Sequence, residues 1–239
     1  METQMNTHTD VQAQTRDQIL AAFNFRHATK VFDPSRKLSD AEIETILEAG
    51  RLSPTSFGHE PFKILMIQTP EKRELFRDFA WGANGMMNGT TGQLGTASHF
   101  GIILASTAEL MTAGSDYLQT HYRSTKQFPE EVIEIFNGAY GKFQSDDHHI
   151  TSEREMVDWA GKQAYIVLAN MMTAGALMGI DSCPIEGFDM DLTSKALTEH
   201  FDIDATKWKP AVMFAFGHRA KNPEFGKTRR TMEETVSWY

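Results

Sequence analysis

Two short basic segments near opposite ends of the chain carry the residue types best suited to chemistry. The first, Arg26–Lys30, reads R-H-A-T-K, and the second, Lys227–Arg230, reads K-T-R-R. Each combines permanent cations with a hydroxyl group, and guanidinium and ammonium groups are the side chains that bind phosphate and carboxylate. Either segment alone is more typical of a solvated charged surface. Together they predict a pocket for one small anion, provided that the fold brings the two segments together.

Two further segments hold groups that often contact ligands. Ser53–Ser56 reads S-P-T-S and ends a helix with hydroxyls and a proline, which is also the pattern of an ordinary turn. Cys183–Phe188 reads C-P-I-E-G-F and is interpreted as a loop after the longest helix. Gly187 permits backbone angles that other residues avoid, so main-chain amides of this loop are expected to be free to donate to a ligand.

Several motifs of other enzyme classes are missing. The glycines at positions 82, 85, 89, 92 and 95 do not form the G-x-G-x-x-G pattern of dinucleotide-binding folds. The segment 226–228, G-K-T, ends like a phosphate-binding P-loop, but Lys221 stands where that motif needs its first glycine. No G-x-S-x-G turn of a hydrolase is present. A Rossmann site, a nucleoside triphosphate site and an α/β-hydrolase site are therefore not predicted.

Neither a metal site nor a reactive cysteine is indicated. Asp146–His149 reads D-D-H-H, but adjacent histidines rarely point at one ion, so this segment is predicted to be a solvated loop. Cys183 is the only cysteine, which excludes an internal disulfide. It lacks nearby basic residues along the chain that would stabilise a thiolate, so a small buried thiol is expected.

Hydrophobic periodicity and capping signals predict the helices that position these segments. A first helix is expected to end near Phe25. A second follows Ser39, with Glu42 at the spacing of a capping box. The longest is expected to follow Thr151 or Ser152 and to run towards residue 179.

Short apolar runs predict a small number of central strands. They lie at 62–68, 100–105 and 211–216. Helices separate the strands, and α/β and α+β arrangements both remain open at this point. The chain is expected to have a flexible polar tail at 1–17 and a single domain at 18–239.

The composition excludes several broad classes of protein. The 239 residues are 41% hydrophobic and 23% charged, unlike a disordered or collagen-like chain. The net charge of −9 is opposite to that of most nucleic-acid-binding proteins. The longest apolar stretch, 164–180, is interrupted by polar residues and glycines, and the polar first eighteen residues lack a signal-peptide core. We therefore expect a cytoplasmic protein that binds neither membranes nor nucleic acid.

The order of these segments resembles the FMN-dependent nitroreductase family. The matching segments are R-H-A-T-K-V-F-D, K-L-S, S-P-T-S followed by P-F, A-S-H, K-Q-A-Y, P-I-E-G-F-D and G-K-T-R. The resemblance covers about residues 18–230, and the pairing of R-H-x-T-K with P-I-E-G-F-D is fairly specific. It is closest to the branch of oxygen-insensitive NAD(P)H nitroreductases and dihydropteridine reductases.

The resemblance implies an α+β fold, with helices flanking a central, mainly antiparallel sheet, and an interlocked homodimer that binds two FMN molecules at its interface. It also implies a ping-pong oxidoreductase in which NADH or NADPH donates hydride. A nitroaromatic, a quinone or a related conjugated acceptor then receives two electrons. The alternative is an FMN enzyme of the same fold with a specialised role, such as flavin breakdown or a biosynthetic reduction.

The resemblance assigns roles only where a motif matches. The implied catalytic groups are Lys30, at the pyrimidine edge of the flavin, and the backbone amide of Glu186 near flavin N5, because the flavin itself carries the chemistry. The implied FMN-binding residues are Arg26, His27, Ala28, Lys30, Asn88, Gln163, Pro184, Ile185, Glu186, Gly187, Lys227 and Arg229, with Pro54, Thr55 and Ser56 supplied by the partner subunit.

Two stretches depart from the family pattern. Relatives usually have N-x-Q-P-W where this chain has G-H-E-P-F at 58–62. The stretch 88–95 keeps Asn88, but Gln93 or a gap takes the place of the lysine that this branch has before A-S-H. We expect the donor and acceptor side of the flavin to differ from that of the best-known relatives.

Residues 111–145 are expected to form a variable flap beside the acceptor. Their aromatic side chains either form walls for a flat acceptor or pack the helices together. The residues concerned are Tyr117, Tyr122, Phe128, Phe136, Tyr140 and Phe143.

Overall fold

A computed structural model describes the backbone of residues 2–239 and the side chains of residues 11–239. Helices surround a small sheet. The helices are α1 (Glu2–Phe25), α2 (Asp40–Arg51), α3 (Pro70–Glu74), α4 (Gly92–Thr96), α5 (Ala108–Met111), α6 (Asp116–Ser124), α7 (Glu130–Lys142), α8 (Glu153–Leu177), α9 (Met190–Phe201) and α10 (Met232–Thr235). Single turns of 3-10 helix lie at Ser56–Gly58 and Met86–Asn88, and a turn of π-helix lies at Phe143–Asp147.

The described residues form one antiparallel sheet. Its strands are β1 (Phe62–Met66), β2 (His99–Ser106), β3 (Asp181–Ile185) and β4 (Trp208–Gly217). They lie in the order β1-β2-β4-β3, so β2 and β4 are central, while β1 and β3 form the edges. The predicted α+β fold with a central antiparallel sheet flanked by helices is confirmed.

Alternating side chains of β4 explain why the sheet is covered on both faces. Val212, Phe214 and Phe216 pack with residues of α2 and α8 on one face. Met213 and Ala215 point to the other face, where they pack with residues around α3, α4 and α9. All five are fully buried, as the two-residue period of a strand covered on both sides requires.

A third apolar cluster lies beyond the sheet, around the helices of the predicted flap. Tyr122 of α6, Tyr140 of α7 and Trp159 of α8 pack together with side chains of the connecting segments. Tyr122 and Tyr140 are completely buried. These two aromatic side chains therefore join the helices 116–142 to α8.

Several predicted elements are confirmed. α1 ends at Phe25, and the Ser39 hydroxyl and Glu42 carboxylate form the expected capping box at the start of α2. Ser152 forms a capping box with Glu155 at the start of α8. The three apolar runs correspond to β1, β2 and β4.

The loop prediction for residues 183–188 is wrong in its first half. Cys183, Pro184 and Ile185 belong to β3, and the loop begins only at Glu186. Pro184 cannot donate a ladder hydrogen bond, but β3 is an edge strand, where proline is tolerated. The sequence analysis also missed α9.

The N-terminal segment has a helical backbone from Glu2 onward, as part of α1. The division into a flexible tail at 1–17 and a domain at 18–239 stays a prediction. Within residues 2–239, no helix combines the length and apolar character that a membrane crossing requires.

Candidate functional site

The first basic segment runs beside edge strand β3, although the two are far apart in sequence. Ala28 forms a parallel bridge with Ser182, and the Thr29 amide donates to the Ser182 carbonyl oxygen over 3.1 Å. The Thr29 hydroxyl also lies 3.4 Å from Asp181 Oδ1. The end of α1 and the strand that leads into P-I-E-G are thus held together.

A buried ion pair anchors this junction. Arg219 Nη2 lies 2.5 Å from Asp181 Oδ1, and the Arg219 amide donates to Asp181 Oδ2 over 3.0 Å. Arg219 also donates to the Phe25 carbonyl oxygen over 2.9 Å, and its guanidinium lies over the Phe25 ring. The sequence analysis missed both residues, because they meet only through the antiparallel pairing of β3 with β4, which places Asp181 opposite Gly217.

The second basic segment meets the first at the end of α1. Lys227 Nζ donates to the Phe23 carbonyl oxygen. Desolvation lowers the pKa of Lys227, and the nearby charges of Arg26, Arg229 and Arg219 lower it further. Among the described residues, Arg26, Lys227 and Arg229 form no ion pair with a carboxylate. Clustered cations without counterions form a site for an anion.

His27 adds an acceptor to this cationic cluster, which we define as Arg26, Lys227 and Arg229 together with the ion-paired Arg219. Its Nδ1 lies 2.9 Å from the Phe25 carbonyl oxygen and therefore carries the proton. Its Nε2 is buried and has no hydrogen-bond partner in the described part of the chain. Such an atom can accept a hydrogen bond from a ligand hydroxyl or ring N–H.

Cys183 lies beside Lys30. This contact corrects the expectation that no basic residue is near the thiol. Lys30 Nζ is 3.6 Å and Gln93 Nε2 is 3.3 Å from Cys183 Sγ. The sequence could not show this, because 153 residues separate Lys30 from Cys183. Burial nevertheless raises the pKa of the Cys183 thiol, against the opposing effects of Lys30 and Gln93. The expected small buried thiol is confirmed.

The loop that follows β3 is held by a close crossing of two glycines. The Gly82 amide donates to the Gly187 carbonyl oxygen over 2.7 Å. A Cβ atom on Gly187 would lie 2.8 Å from Gly82 Cα and 2.8 Å from a ring carbon of Trp81. Gly187 is therefore required because of this close approach, and not because of the unusual backbone angles that the sequence analysis expected.

Glu186 is held by a hydrogen bond from α8. The Tyr165 hydroxyl donates to Glu186 Oε1 over 2.5 Å. Burial raises the pKa of Tyr165, and the hydrogen bond to Glu186 raises it further. Within residues 2–239, the main-chain amides of Glu186 and Gly187 donate to no protein acceptor. They can therefore donate to a ligand.

The S-P-T-S turn and Gln163 form a second group of predicted site residues. The Ser56 amide donates to Gln163 Oε1 over 3.0 Å, and Asn170 Nδ2 donates to the Ser53 hydroxyl over 2.8 Å. The Thr55 hydroxyl accepts from the Glu60 amide. These bonds fix the turn on α8 and join Gln163 to it rather than to the cationic cluster.

The glycine-rich stretch before α4 holds Asn88 and Gln93 in different surroundings. Asn88 is exposed and accepts a hydrogen bond from the Thr90 hydroxyl over 2.6 Å. Arg77 supports the stretch by donating to the carbonyl oxygens of Asn84 and Thr91. Gln93 is 1% exposed and reaches Cys183.

The departure from the family pattern at 58–62 places a histidine in the aromatic cluster around Tyr122 and Tyr140. His59 is completely buried, and the Tyr122 hydroxyl lies 2.7 Å from its Nε2. Desolvation lowers the pKa of His59 to about 3, assisted by the charges of His121 and Lys126. Phe57 and His59 thus contribute to packing. The sequence analysis expected the flap aromatics either to form walls for an acceptor or to pack the helices together, and Tyr122 and Tyr140 pack the helices together.

The described side chains contain no group of three or more His, Cys, Asp or Glu that could hold a metal ion. What remains is a site built from cations, amides and buried neutral acceptors, which suits an anionic organic ligand.

Comparison with known proteins identifies the family of this chain. The model of the nitroreductase family matches residues 24–218. The chain belongs to the nitroreductase family. Over 227 residues it is 47% identical to YfkO of Bacillus subtilis, and the match covers 95% of this chain and 99% of that protein. YfkO carries a provisional name as an NAD(P)H nitroreductase. A Staphylococcus epidermidis relative with a similar provisional name is 44% identical over 94% of this chain and 98% of its own length.

Solved structures of nitroreductases share the fold. An oxidoreductase of Staphylococcus epidermidis, described as acting on NAD(P)H and FMN, superposes with a TM-score of 0.73 at 19% identity, covering 92% of this chain and 95% of that chain. A nitroreductase of Exiguobacterium sibiricum, solved with FMN, gives a TM-score of 0.71 at 17% identity, covering 92% and 97%. The predicted family and fold are therefore confirmed.

Proposed function

We propose that the chain is an FMN-dependent NAD(P)H oxidoreductase that reduces nitroaromatics, quinones or related conjugated acceptors. The observation that carries this proposal is the meeting of Arg26, Lys227 and Arg229 at the end of α1. The amides of Glu186 and Gly187, which donate to no acceptor within residues 2–239, add to it. Family membership, the provisional NAD(P)H nitroreductase names of the relatives and the FMN in one structural neighbour support it.

The residues present fit FMN. Arg26, Lys227 and Arg229 would hold the phosphate, because their mutual repulsion is relieved by a dianion. The unpartnered Nε2 of His27 would accept a hydrogen bond from the ligand. Bound FMN would supply the hydride chemistry, accepting two electrons from NADH or NADPH and passing them to the acceptor.

The protein's own groups orient this chemistry. The Lys30 ammonium would stabilise the negative charge that reduced flavin carries at its pyrimidine edge. The amide of Glu186 or of Gly187 would donate to flavin N5, and the hydrogen bond from Tyr165 fixes the Glu186 side chain. No general base is needed, because the transferred hydride comes from the nicotinamide.

We also propose that the functional unit is a homodimer in the cytoplasm. The turn that holds Pro54, Thr55 and Ser56 is joined to Gln163 and not to the cationic cluster, so a second subunit would bring the two groups together. The exposed apolar side chains of α8 and of the C-terminal segment support this arrangement; they are Tyr165, Ile166, Leu177, Trp238 and Tyr239. Light scattering should give about twice the 26.9 kDa chain mass.

The test of the proposed function is a spectrum followed by kinetics. The purified chain should bind FMN, show a visible flavin band and oxidise NADH or NADPH with quinone or nitroaromatic acceptors. Double-reciprocal plots at several acceptor concentrations should be parallel, as in a ping-pong cycle. A colourless protein that does not bind added FMN would contradict the proposal.

The altered segment at 58–62 favours a second candidate, a specialised enzyme of the same fold. Gly58 and Glu60 stand where relatives usually have an asparagine and a glutamine, and His59 between them is buried in the aromatic cluster. A specialised enzyme would bind FMN with similar affinity but turn over simple quinones and nitroaromatics poorly with both nicotinamides. The acceptor panel therefore distinguishes the two candidates.

A further inference from the structure

Three polar contacts meet at Cys183 Sγ. Lys30 Nζ lies 3.6 Å from the sulfur, and Gln93 Nε2 lies 3.3 Å from it. The thiol points towards the Pro184 carbonyl oxygen, 3.4 Å away. Cys183 and Gln93 are buried, whereas Lys30 is exposed. The sulfur therefore accepts from a surface ammonium and a buried amide while its own proton is directed at the main chain.

The charge of Lys30 is not neutralised by this arrangement. Burial keeps the pKa of the Cys183 thiol raised, so the sulfur is uncharged at neutral pH. Across the described side chains, Lys30 forms no ion pair with a carboxylate. A carboxylate at position 183 would also orient the ammonium, but it would cancel the field that the ammonium exerts on a ligand. The neutral sulfur restricts the position of the Lys30 ammonium but leaves its positive charge free to act on a ligand.

We propose that Cys183 and Gln93 are positioning residues that hold the Lys30 ammonium at the flavin and thereby favour the reduced cofactor. This inference rests on the proposed function, because it requires FMN to bind beside Lys30. A lysine on a flexible four-carbon stem loses conformational freedom when it must bind a charge. The contact with the sulfur restricts the stem before the flavin is reduced.

A double-mutant cycle on the full-length flavoprotein tests this inference. The readout is the dissociation constant of oxidised FMN divided by that of reduced FMN. This ratio follows from the difference between the two-electron midpoint potentials of bound and free FMN. Cys183→Ala should lower the ratio about threefold to tenfold, the size expected for losing a hydrogen bond to a charged group. A tenfold change corresponds to about 30 mV for a two-electron couple.

The cycle separates positioning from general structure. In a Lys30→Met background, Cys183→Ala should cause no further change, because its effect acts through Lys30. Gln93→Leu should behave in the same way, and Cys183→Ser, which keeps an acceptor, should restore most of the ratio. Val212→Ala, which removes buried volume from the opposite face of the sheet, is the control and should leave the ratio unchanged.

Two results would overturn the inference. One is that Cys183→Ala changes the ratio of dissociation constants equally in the wild-type and Lys30→Met backgrounds. The other is that Val212→Ala changes this ratio as much as Cys183→Ala does. If the wild-type chain binds no FMN, the proposed function fails, and thiolate absorbance then tests the contact by itself. Lys30→Met should raise the pKa of the Cys183 thiol; an unchanged pKa would show that Lys30 does not act on the sulfur.

Discussion

Gly187 is the site residue whose identity its neighbours constrain most tightly. The position a Cβ atom would take lies within 2.8 Å of the Gly82 backbone and of the Trp81 ring. Backbone atoms cannot move aside as the end of a flexible side chain can. The crossing of Gly82 and Gly187 fixes the amides that are proposed to meet the flavin.

Gly187→Ala should therefore destabilise the protein and disturb the loop. We expect the free energy of unfolding in urea to fall by about 1–3 kcal/mol, the usual effect of forcing a methyl group into a closely packed position. Gly138→Ala is the matched control, because position 138 lies in α7 with open space around it. That change should stabilise the helix by about 0.5–1 kcal/mol. Equal effects of the two changes would contradict the close crossing.

Asp181 is the second residue whose replacement should be costly. It is almost completely buried and accepts from the Arg219 side chain and amide and from Thr29. Asp181→Ala should lower the free energy of unfolding by about 3–5 kcal/mol, because Arg219 would stay partly buried without a counterion. Glu48→Ala, which removes an exposed ion pair with Arg51, should cost less than about 1 kcal/mol. A small loss for Asp181→Ala would contradict the anchoring role.

At the scale of elements, the helices at 116–142 depend on a neutral histidine. His59 is surrounded by Phe57, Tyr122 and Tyr140, and burial lowers its pKa to about 3. Its unfolded value is about 6.5. Protonation therefore favours the unfolded chain, so stability is complete above about pH 6.5 and falls as the pH decreases towards 3.

A pH series on His59→Gln measures this effect. Between pH 8 and pH 5 the wild-type chain should lose about 2 kcal/mol more of its unfolding free energy than the variant, because the glutamine does not titrate. The other histidines contribute equally to both proteins and cancel in the comparison. Identical pH profiles would mean that His59 accepts a proton within the fold.

The elements also show how much the sequence could predict. Capping boxes are local, so Ser39 with Glu42 and Ser152 indicated the starts of α2 and α8 correctly. Strand β3 was missed because Pro184 is a strand breaker except at a sheet edge, and edge position is a property of the whole sheet. The contacts Lys30–Cys183 and Arg219–Asp181 could not be predicted for the same reason, since each depends on how distant segments pair.

At the scale of the whole molecule, the fold brings the two ends of the chain together. The antiparallel pairing of β3 with β4 brings Arg219 to Asp181, and β3 in turn holds the segment after α1. Lys227 then reaches the carbonyl end of α1 near Arg26. The resemblance implied that Arg26 and Lys227 belong to one site, and the sheet topology gives the physical reason why these two residues meet.

The most direct test of this account is the dissociation constant of FMN for three matched variants. Arg26→Ala and Lys227→Ala should each weaken FMN binding by about tenfold or more, the loss expected when a charged hydrogen bond to phosphate is removed. Arg230→Ala removes a cation from the same C-terminal segment, and it should change the dissociation constant by less than about twofold, as expected of an exposed charge. Wild-type affinity in the Arg26 and Lys227 variants would contradict the account.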